Sequence, residues 1–253
     1  MDNSKNNVFH IFFNKYNMEE AVEAIETSIE KDTSTLVVPV NLDMMRISYK
    51  DQLFKEIINE SEISLIDGRP IIWLSRLFRK GIKKKVSGSD LIFPVLEMCN
   101  KHKYSILIIG GKEETGIKAC QYITNNYPEI KFAKSYSPEF GFEKSPELIQ
   151  KTVDVINEIN ADIVLLCLSA PKQEKFYWLN KDKLNKACYI CAGATVDFLA
   201  GDVKRAPKWM SKVGLEWFYR LCLEPKRLKQ RYWLDFWFLI KIMFLWFFRK
   251  DLR

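Results

Sequence analysis

Asp67 stands out by position: it closes the apolar run Ile63–Ile66 and precedes Gly68, so a tight turn there projects a carboxylate from the end of a strand. His10 and His102 are the only histidines and neither follows a predicted strand, which leaves proton transfer to a carboxylate and makes Asp67 the candidate general base. An isolated Asp-Gly also serves simply to stabilise a turn, so the pair alone leaves both readings open. Gly110-Gly111, with Gly116 further on, follows another apolar run and opens a helical pattern. Backbone amides at such a turn can approach a diphosphate, although the spacing is not G-x-G-x-x-G and a plain strand-to-helix turn has the same signature. Ser169 to Glu174 places Lys172, the amide of Gln173 and the carboxylate of Glu174 right after the most hydrophobic run. Those groups suit a ligand rich in hydroxyls, and they equally suit an ordinary helix N-terminus. Asp-x-Asp, the usual means of holding a divalent ion on a diphosphate, does not occur. Leaving-group charge would then rest on basic side chains, and Arg220, Arg227 and Arg231 supply three planar, bidentate donors at near-helical spacing. A solvated basic face gives the same pattern.

These residues need a frame. Short runs rich in Val, Ile and Leu alternate with longer segments of helical period, the pattern of a parallel sheet covered on both faces. The predicted strands are Thr35–Val40, Ile63–Ile66, Ser105–Ile109, Asp162–Leu168 and Cys188–Ala192. The predicted helices are Met18–Glu30, Tyr49–Asn59, Ser89–Lys101, Thr115–Tyr127 and Ser145–Ile159, the last with Ser145 as N-cap and Pro146 in the first turn. Ligands of open α/β sheets bind beyond the carboxyl ends of the strands. That rule directs attention to Asn41, Asp67-Gly68, Gly110-Gly111, Ser169 to Glu174 and Gly193 to Asp197.

The chain has 253 residues, 47% of them apolar, enough for one large core with an appendage. From about Gly201 the texture turns basic and aromatic: nine Lys and Arg between Lys204 and Arg231 face only Glu216 and Glu224. This asymmetry predicts an anionic partner. Tyr232 to Phe248 is almost wholly apolar but carries Asp235 and Lys241. Spanning a bilayer takes about 20 predominantly apolar residues, so a helix lying in the membrane interface is the expectation, with aromatics at headgroup depth. The six cysteines make no disulfide framework, and Cys188-x-x-Cys191 lies in an apolar run without a second pair, which reads as core packing. The polar stretch Met1 to Asn7 and its mixed continuation do not resemble a secretory signal, which sets a cytoplasmic expectation.

Taken together the segments resemble the WecG/TagA/CpsF glycosyltransferase family, glycosyltransferase family 26, over most of the chain. The resemblance rests on Asn41-Leu42-Asp43, Asp67-Gly68-x-Pro70, Val86-Ser87-Gly88-Ser89-Asp90-Leu91, Ala170-Pro171-Lys172-Gln173-Glu174, Gly193 to Gly201, Arg205-Ala206-Pro207, Gly214-Leu215-Glu216-Trp217, Tyr219-Arg220, Glu224-Pro225 and Arg227. It implies a Rossmann-like catalytic domain over residues 1–200, with helices on both faces of a mostly parallel sheet, and a membrane-associating helical appendage over 201–253. It implies a metal-independent, inverting transfer of an N-acetylmannosamine-type sugar or related hexose from a UDP-sugar to a polyprenyl-diphosphate-linked acceptor, with no cofactor. The setting implied is cell-surface polysaccharide or teichoic acid synthesis, peripherally at the cytoplasmic face of the plasma membrane. Asp67 would be the base and Gln173 would lie at the donor site. Asn41, Lys85, Gly88, Asp90, Gly110, Gly111, Glu174, Gly193, Asp197 and Arg205 complete the expected substrate site. Arg220, Arg227 and Arg231 would face the diphosphate beside an anionic membrane surface. No nucleic acid is expected, and self-association is left open. Three departures are visible: Pro39 where many members have threonine, Lys85 where an arginine is usual, and Gln230 at the third appendage arginine, with Arg231 beside it as a substitute.

Two rivals come from other classes. A nicotinamide-dependent oxidoreductase on the same kind of sheet lacks G-x-G-x-x-G and a catalytic histidine. A non-enzymatic membrane- or nucleic-acid-binding module would use the basic, aromatic C-terminus and leave Asp67, Gln173 and Asp197 unexplained.

Overall fold

A computed structural model describes residues 5–82, 84–204, 206–207, 210 and 216–248, with the side chains of Glu216 and Arg227 excluded. Arg205 therefore lies outside the described residues. An antiparallel hairpin, β1 (Lys5–Val8) and β2 (Ile11–Asn14), precedes a six-stranded, all-parallel sheet. The sheet comprises β3 (Thr35–Val40), β4 (Ile63–Ile66), β5 (Ile106–Gly110), β6 (Ala133–Tyr136), β7 (Ile163–Cys167) and β8 (Cys188–Cys191), in the spatial order β4-β3-β8-β7-β5-β6. The helices are α1 (Met18–Glu30), α2 (Leu42–Ser48), α3 (Gln52–Glu60), α4 (Arg69–Leu77), α5 (Gly88–His102), α6 (Glu113–Asn126), α7 (Pro146–Ile159), α8 (Lys172–Asn180) and α9 (Thr195–Leu199). A short appendage helix, Glu216–Leu223, and a terminal helix, Pro225–Phe248, follow.

Alternating strand residues feed two apolar layers. Val38, Val40, Leu107, Ile109, Val164 and Leu166 meet Phe54 of α3, Val153 of α7, Phe176 of α8 and Phe238 of the terminal helix. Val37, Ile106, Ile108, Ile163 and Leu165 meet Ala21 of α1, Val95 of α5, Ala119 of α6 and Val196 of α9. Both faces are covered, which is why these strands read as continuous apolar runs.

The core of each predicted strand and helix is present. Ends move by a residue or so, except that Asp51 caps the helix predicted from Tyr49, its side chain accepting from the Phe54 amide at 3.0 Å, so α3 starts at Gln52. Ser145 caps α7 as expected. The hairpin, β6, α2, α4, α8 and α9 are additions to the predicted set.

The connections fix where a ligand can enter. After β5 the chain turns outward to β6, and after β7 it turns the other way to β8, so a crevice opens between β5 and β7 at their carboxyl ends. Gly110 stands at that point with φ +109°, and a Cβ there would lie 2.6 Å from the Cys167 carbonyl oxygen of the neighbouring strand. Only glycine permits this conformation and this approach.

Candidate active site

Asp67 is the first residue past β4. Its amide donates to the Val40 carbonyl at 2.8 Å, which ties it to the end of β3, and its side chain is half-buried. Gly68, at φ +130°, turns the chain into α4, whose first turn holds Pro70. The Val86 amide donates to the Ile66 carbonyl at 2.9 Å, so the segment Val86 to Asp90 runs along the same corner. Gly88 sits against β3: an added Cβ would come within 3.1 Å of the Pro39 ring. Lys85 and Asp90 form an ion pair at 3.9 Å across the start of α5. Asn41, directly after β3, spends its side-chain oxygen on the Met44 amide at 3.1 Å as the N-cap of α2.

The second half of the edge lies beyond β5, β7 and β8. Gly111 has φ +77°, and a Cβ there would meet Val196 of α9 at 3.1 Å. Ser169 takes a positive φ of 66°, Ala170–Pro171 is cis, and α8 begins at Lys172, which pairs with Glu143 at 2.5 Å. Gln173 is buried: its Oε1 accepts from the Gly193 amide at 3.3 Å, and its Nε2 donates to Glu174 Oε1 at 2.8 Å. The two bonds fix which way the amide points and link α8 to the turn that carries Asp197, itself half-buried in α9. Glu174 is fully buried beside the Cys191 thiol, and burial pushes its carboxyl up to about 7, against the opposing hydrogen bond from Gln173.

This burial gives a pH signature. Unfolded, Glu174 titrates near 4.5; folded, near 7. The folded chain holds the proton more tightly, so the stability this group supplies is complete below about pH 4.5 and is lost as pH rises through about 7. Glu174→Gln removes that loss and is expected to be the more stable protein at pH 8, by roughly 3 kcal/mol at about 1.4 kcal/mol per pH unit, with no such advantage at pH 4.5. Thermal melts of both proteins across that range check it; parallel curves would refute it.

Among the appendage cations, the Arg220 guanidinium carbon lies 5.4 Å from the centre of the Phe198 ring, in the helix α9 that also carries Asp197. Arg227 is described by backbone alone. Arg231 turns to α2, with Nε 3.0 Å from Asp43 Oδ2 and 3.9 Å from Asp235 Oδ2, while Arg46 Nε donates to Asp235 Oδ1 at 3.0 Å and Arg46 also bonds Asp43. Burial and the neighbouring Asp43 charge push the Asp235 carboxyl up to about 6, with the two arginines opposing. Sequence reasoning missed Asp43, Arg46 and Asp235 as a group. The signal for it was the spacing Asp43-x-x-Arg46 and Arg231-x-x-x-Asp235, two opposite-charge pairs set one helical turn apart.

The candidates that follow the strands, Asn41, Asp67, Gly110, Gly111, Gln173 and Gly193, thus fall along one edge of the sheet, in two halves joined by the neighbouring strands β3 and β8. A Tyr-x-x-x-Lys spacing that an oxidoreductase would use does occur at Tyr177–Lys181, yet Tyr177 is buried against Tyr189 at 4.8 Å and the Lys181 ammonium sits 3.7 Å over Trp178. A second, Tyr127–Lys131, precedes β6 and lies at the opposite, amino edge. Among the described residues, no group of three or more His, Cys, Asp or Glu gathers as a metal site, and Cys188 and Cys191 are both buried in β8.

Residues 6–252 match the glycosyl transferase WecG/TagA/CpsF family. The chain belongs to this family. As a WecG/TagA/CpsF member it is a glycosyltransferase, and three of its relatives carry the same activity in their names. A protein of Bacillus subtilis (strain 168), 33% identical over 202 residues covering 80% of this chain and 77% of the relative, is an N-acetylglucosaminyldiphosphoundecaprenol N-acetyl-beta-D-mannosaminyltransferase. The same name belongs to a Staphylococcus aureus (strain MRSA252) protein, 22% identical over 89% of this chain and 87% of the relative. It belongs also to one from Bacillus spizizenii (strain ATCC 23059 / NRRL B-14472 / W23), 24% identical over 81% of this chain and 78% of the relative.

Proposed function

We propose that this glycosyltransferase moves an N-acetylmannosamine-type sugar from a UDP-sugar to a polyprenyl-diphosphate-linked acceptor, with inversion and without a metal, while lying on the cytoplasmic face of the membrane. The observation that carries the reading is the placement of a half-buried Asp67 on the strand-end edge that also holds Gly110, Gln173 and Gly193. In one displacement the acceptor hydroxyl gives its proton to the Asp67 carboxylate, its oxygen bonds to the anomeric carbon, and the bond from that carbon to the diphosphate oxygen breaks, releasing UDP. The leaving diphosphate gathers charge that Arg220 of the appendage offsets, with Arg227 further along the sequence; the Arg220 contact with Phe198 of α9 supports this reading.

The acceptor's lipid explains the terminal helix. Its inward residues Leu228, Asp235, Phe238 and Ile242 are buried, while Trp233, Phe244, Phe247 and Phe248 are each 60 to 64% exposed. Trp217 and Phe218 of the short appendage helix are exposed as well. An apolar patch this continuous, with basic residues nearby, fits the interface of an anionic bilayer. No described helix is long and apolar enough to cross a membrane.

A panel of UDP-hexoses and UDP-N-acetylhexosamines, incubated with and without a prenyl-diphosphate N-acetylglucosamine analogue, tests the assignment. The expected result is UDP release that rises at least about tenfold with the acceptor for the N-acetylmannosamine donor. Equal release with and without acceptor for every donor would contradict it.

A further inference from the structure

The face that the terminal helix turns inward is not wholly apolar. Leu228, Arg231, Asp235, Phe238 and Ile242 recur every three or four residues and so share one side. In the middle of this stripe Asp235, only 7% exposed, meets Arg46, and Arg231 meets Asp43. Two carboxylates and two guanidiniums alternate with no net charge. Next to them Phe238 packs on Phe9 of the hairpin tip at 6.1 Å and on Tyr49 at 5.8 Å, and the Lys241 ammonium lies 4.3 Å over Tyr49.

A purely apolar stripe tolerates sliding by one turn, because one large side chain replaces another at small cost. A buried charge does not: leaving a carboxylate or guanidinium in the seam without its partner is strongly unfavourable, so a polar group inside an apolar seam selects one register. Here α2 is the receiving element, and its N-cap is Asn41, the first residue past β3 at the site. On the other side, the short appendage helix that carries Arg220 packs on the beginning of the terminal helix, Trp217 lying 6.1 Å from Tyr232.

We propose that Asp43, Arg46, Arg231 and Asp235 form a docking key that sets the register of the lipid-facing helix on α2 and so places Arg220 and Arg227 over the strand-end site. The four are positioning residues, and Arg231 serves the key instead of the diphosphate. Membrane attachment then comes from the outward aromatics and alignment from the inward charges, two separable properties of one helix. The consequence for catalysis rests on the transfer reaction proposed above.

The test uses the full chain with Arg46→Glu, Asp235→Lys and the charge-swapped double variant, in the presence of anionic vesicles. Two measurements are made on each: amide hydrogen exchange over residues 228–246, and kcat/KM for transfer to a prenyl-diphosphate acceptor embedded in the vesicles. Each single variant is expected to exchange at least about tenfold faster in that segment, to lose at least tenfold in kcat/KM and to bind UDP more weakly, with vesicle binding within about twofold of wild type. The double variant is expected to recover both to within about threefold. Wild-type protection in the single variants, or a double variant no better than either single, overturns the key. Because exchange is read without any turnover, a wild-type chain that transfers nothing would fail the functional reading alone. Restored exchange without restored transfer in a chain that does turn over would refute the placing of the arginines.

Discussion

Replacing Asp67 by asparagine is expected to cut transfer by about 10² to 10⁴-fold, the range a positioned general base supplies, while the melting temperature stays close to wild type. Asn keeps the size and the turn but cannot take up the acceptor's proton. The turn itself is kept: the Asp67 backbone amide donates to the Val40 carbonyl, and the chain beyond it turns at Gly68 with φ +130°. The loss should fall on kcat, because the missing interaction develops with the proton transfer itself, and KM for the donor should move little. Steady-state kinetics on matched protein, with a melt as control, decides it. Near-normal turnover would remove Asp67 from the mechanism.

The second large effect concerns the appendage. A chain ending at Ala200 is expected to fold, since the layer built on α1, α5, α6 and α9 takes nothing from the terminal helix. It is expected to lose at least about 10² in transfer to a vesicle-borne acceptor, as a preorganised charge partner at a leaving group is worth about that much by itself. Vesicle binding should go too, because the exposed Trp217, Trp233, Trp237, Phe244 and Phe247 are removed. Phe9, Tyr49 and Phe78 would be uncovered where Phe238 and Trp246 now pack, so some thermal stability goes with them. Co-sedimentation with anionic vesicles beside a transfer assay separates the two losses. Full activity of the shortened chain on the lipid-linked acceptor would refute both the cation and the membrane roles.

Much of this frame is legible in the sequence because the parallel strands are buried on both faces, so Thr35–Val40 or Ile163–Cys167 reads as an unbroken apolar run. Asp67 and Gly110 are legible for the same reason: each is found by asking what ends such a run. The missed elements lack that signal. The hairpin turns at Phe9 and His10, both at positive φ, without the Asn-Gly or Asp-Gly pair that announces such turns. Helices α2, α4 and α8 are short and start within a few residues of a strand end, so their periodicity is truncated before it shows. Glu174 read as a group facing the ligand, whereas it is fully buried and its carboxyl accepts from the Gln173 amide. The contact from Arg46 to Asp235 spans 189 residues, and no local pattern announces which distant charge a helix will meet. Arg231 shows the consequence: its spacing with Arg220 and Arg227 fits a phosphate clamp, and its side chain is nonetheless paired with Asp43.

The stereochemistry of the product tests the account most directly. A single displacement driven by Asp67 must invert the anomeric centre, whereas a route through a covalent sugar–protein intermediate displaces twice and retains it. NMR of the disaccharide product, made from an anomerically pure UDP-sugar donor in the presence of a chelator, reads the configuration from the one-bond carbon–proton coupling at the anomeric carbon of the new linkage. The account predicts the configuration opposite to the donor's; a product that keeps the donor's configuration would contradict it.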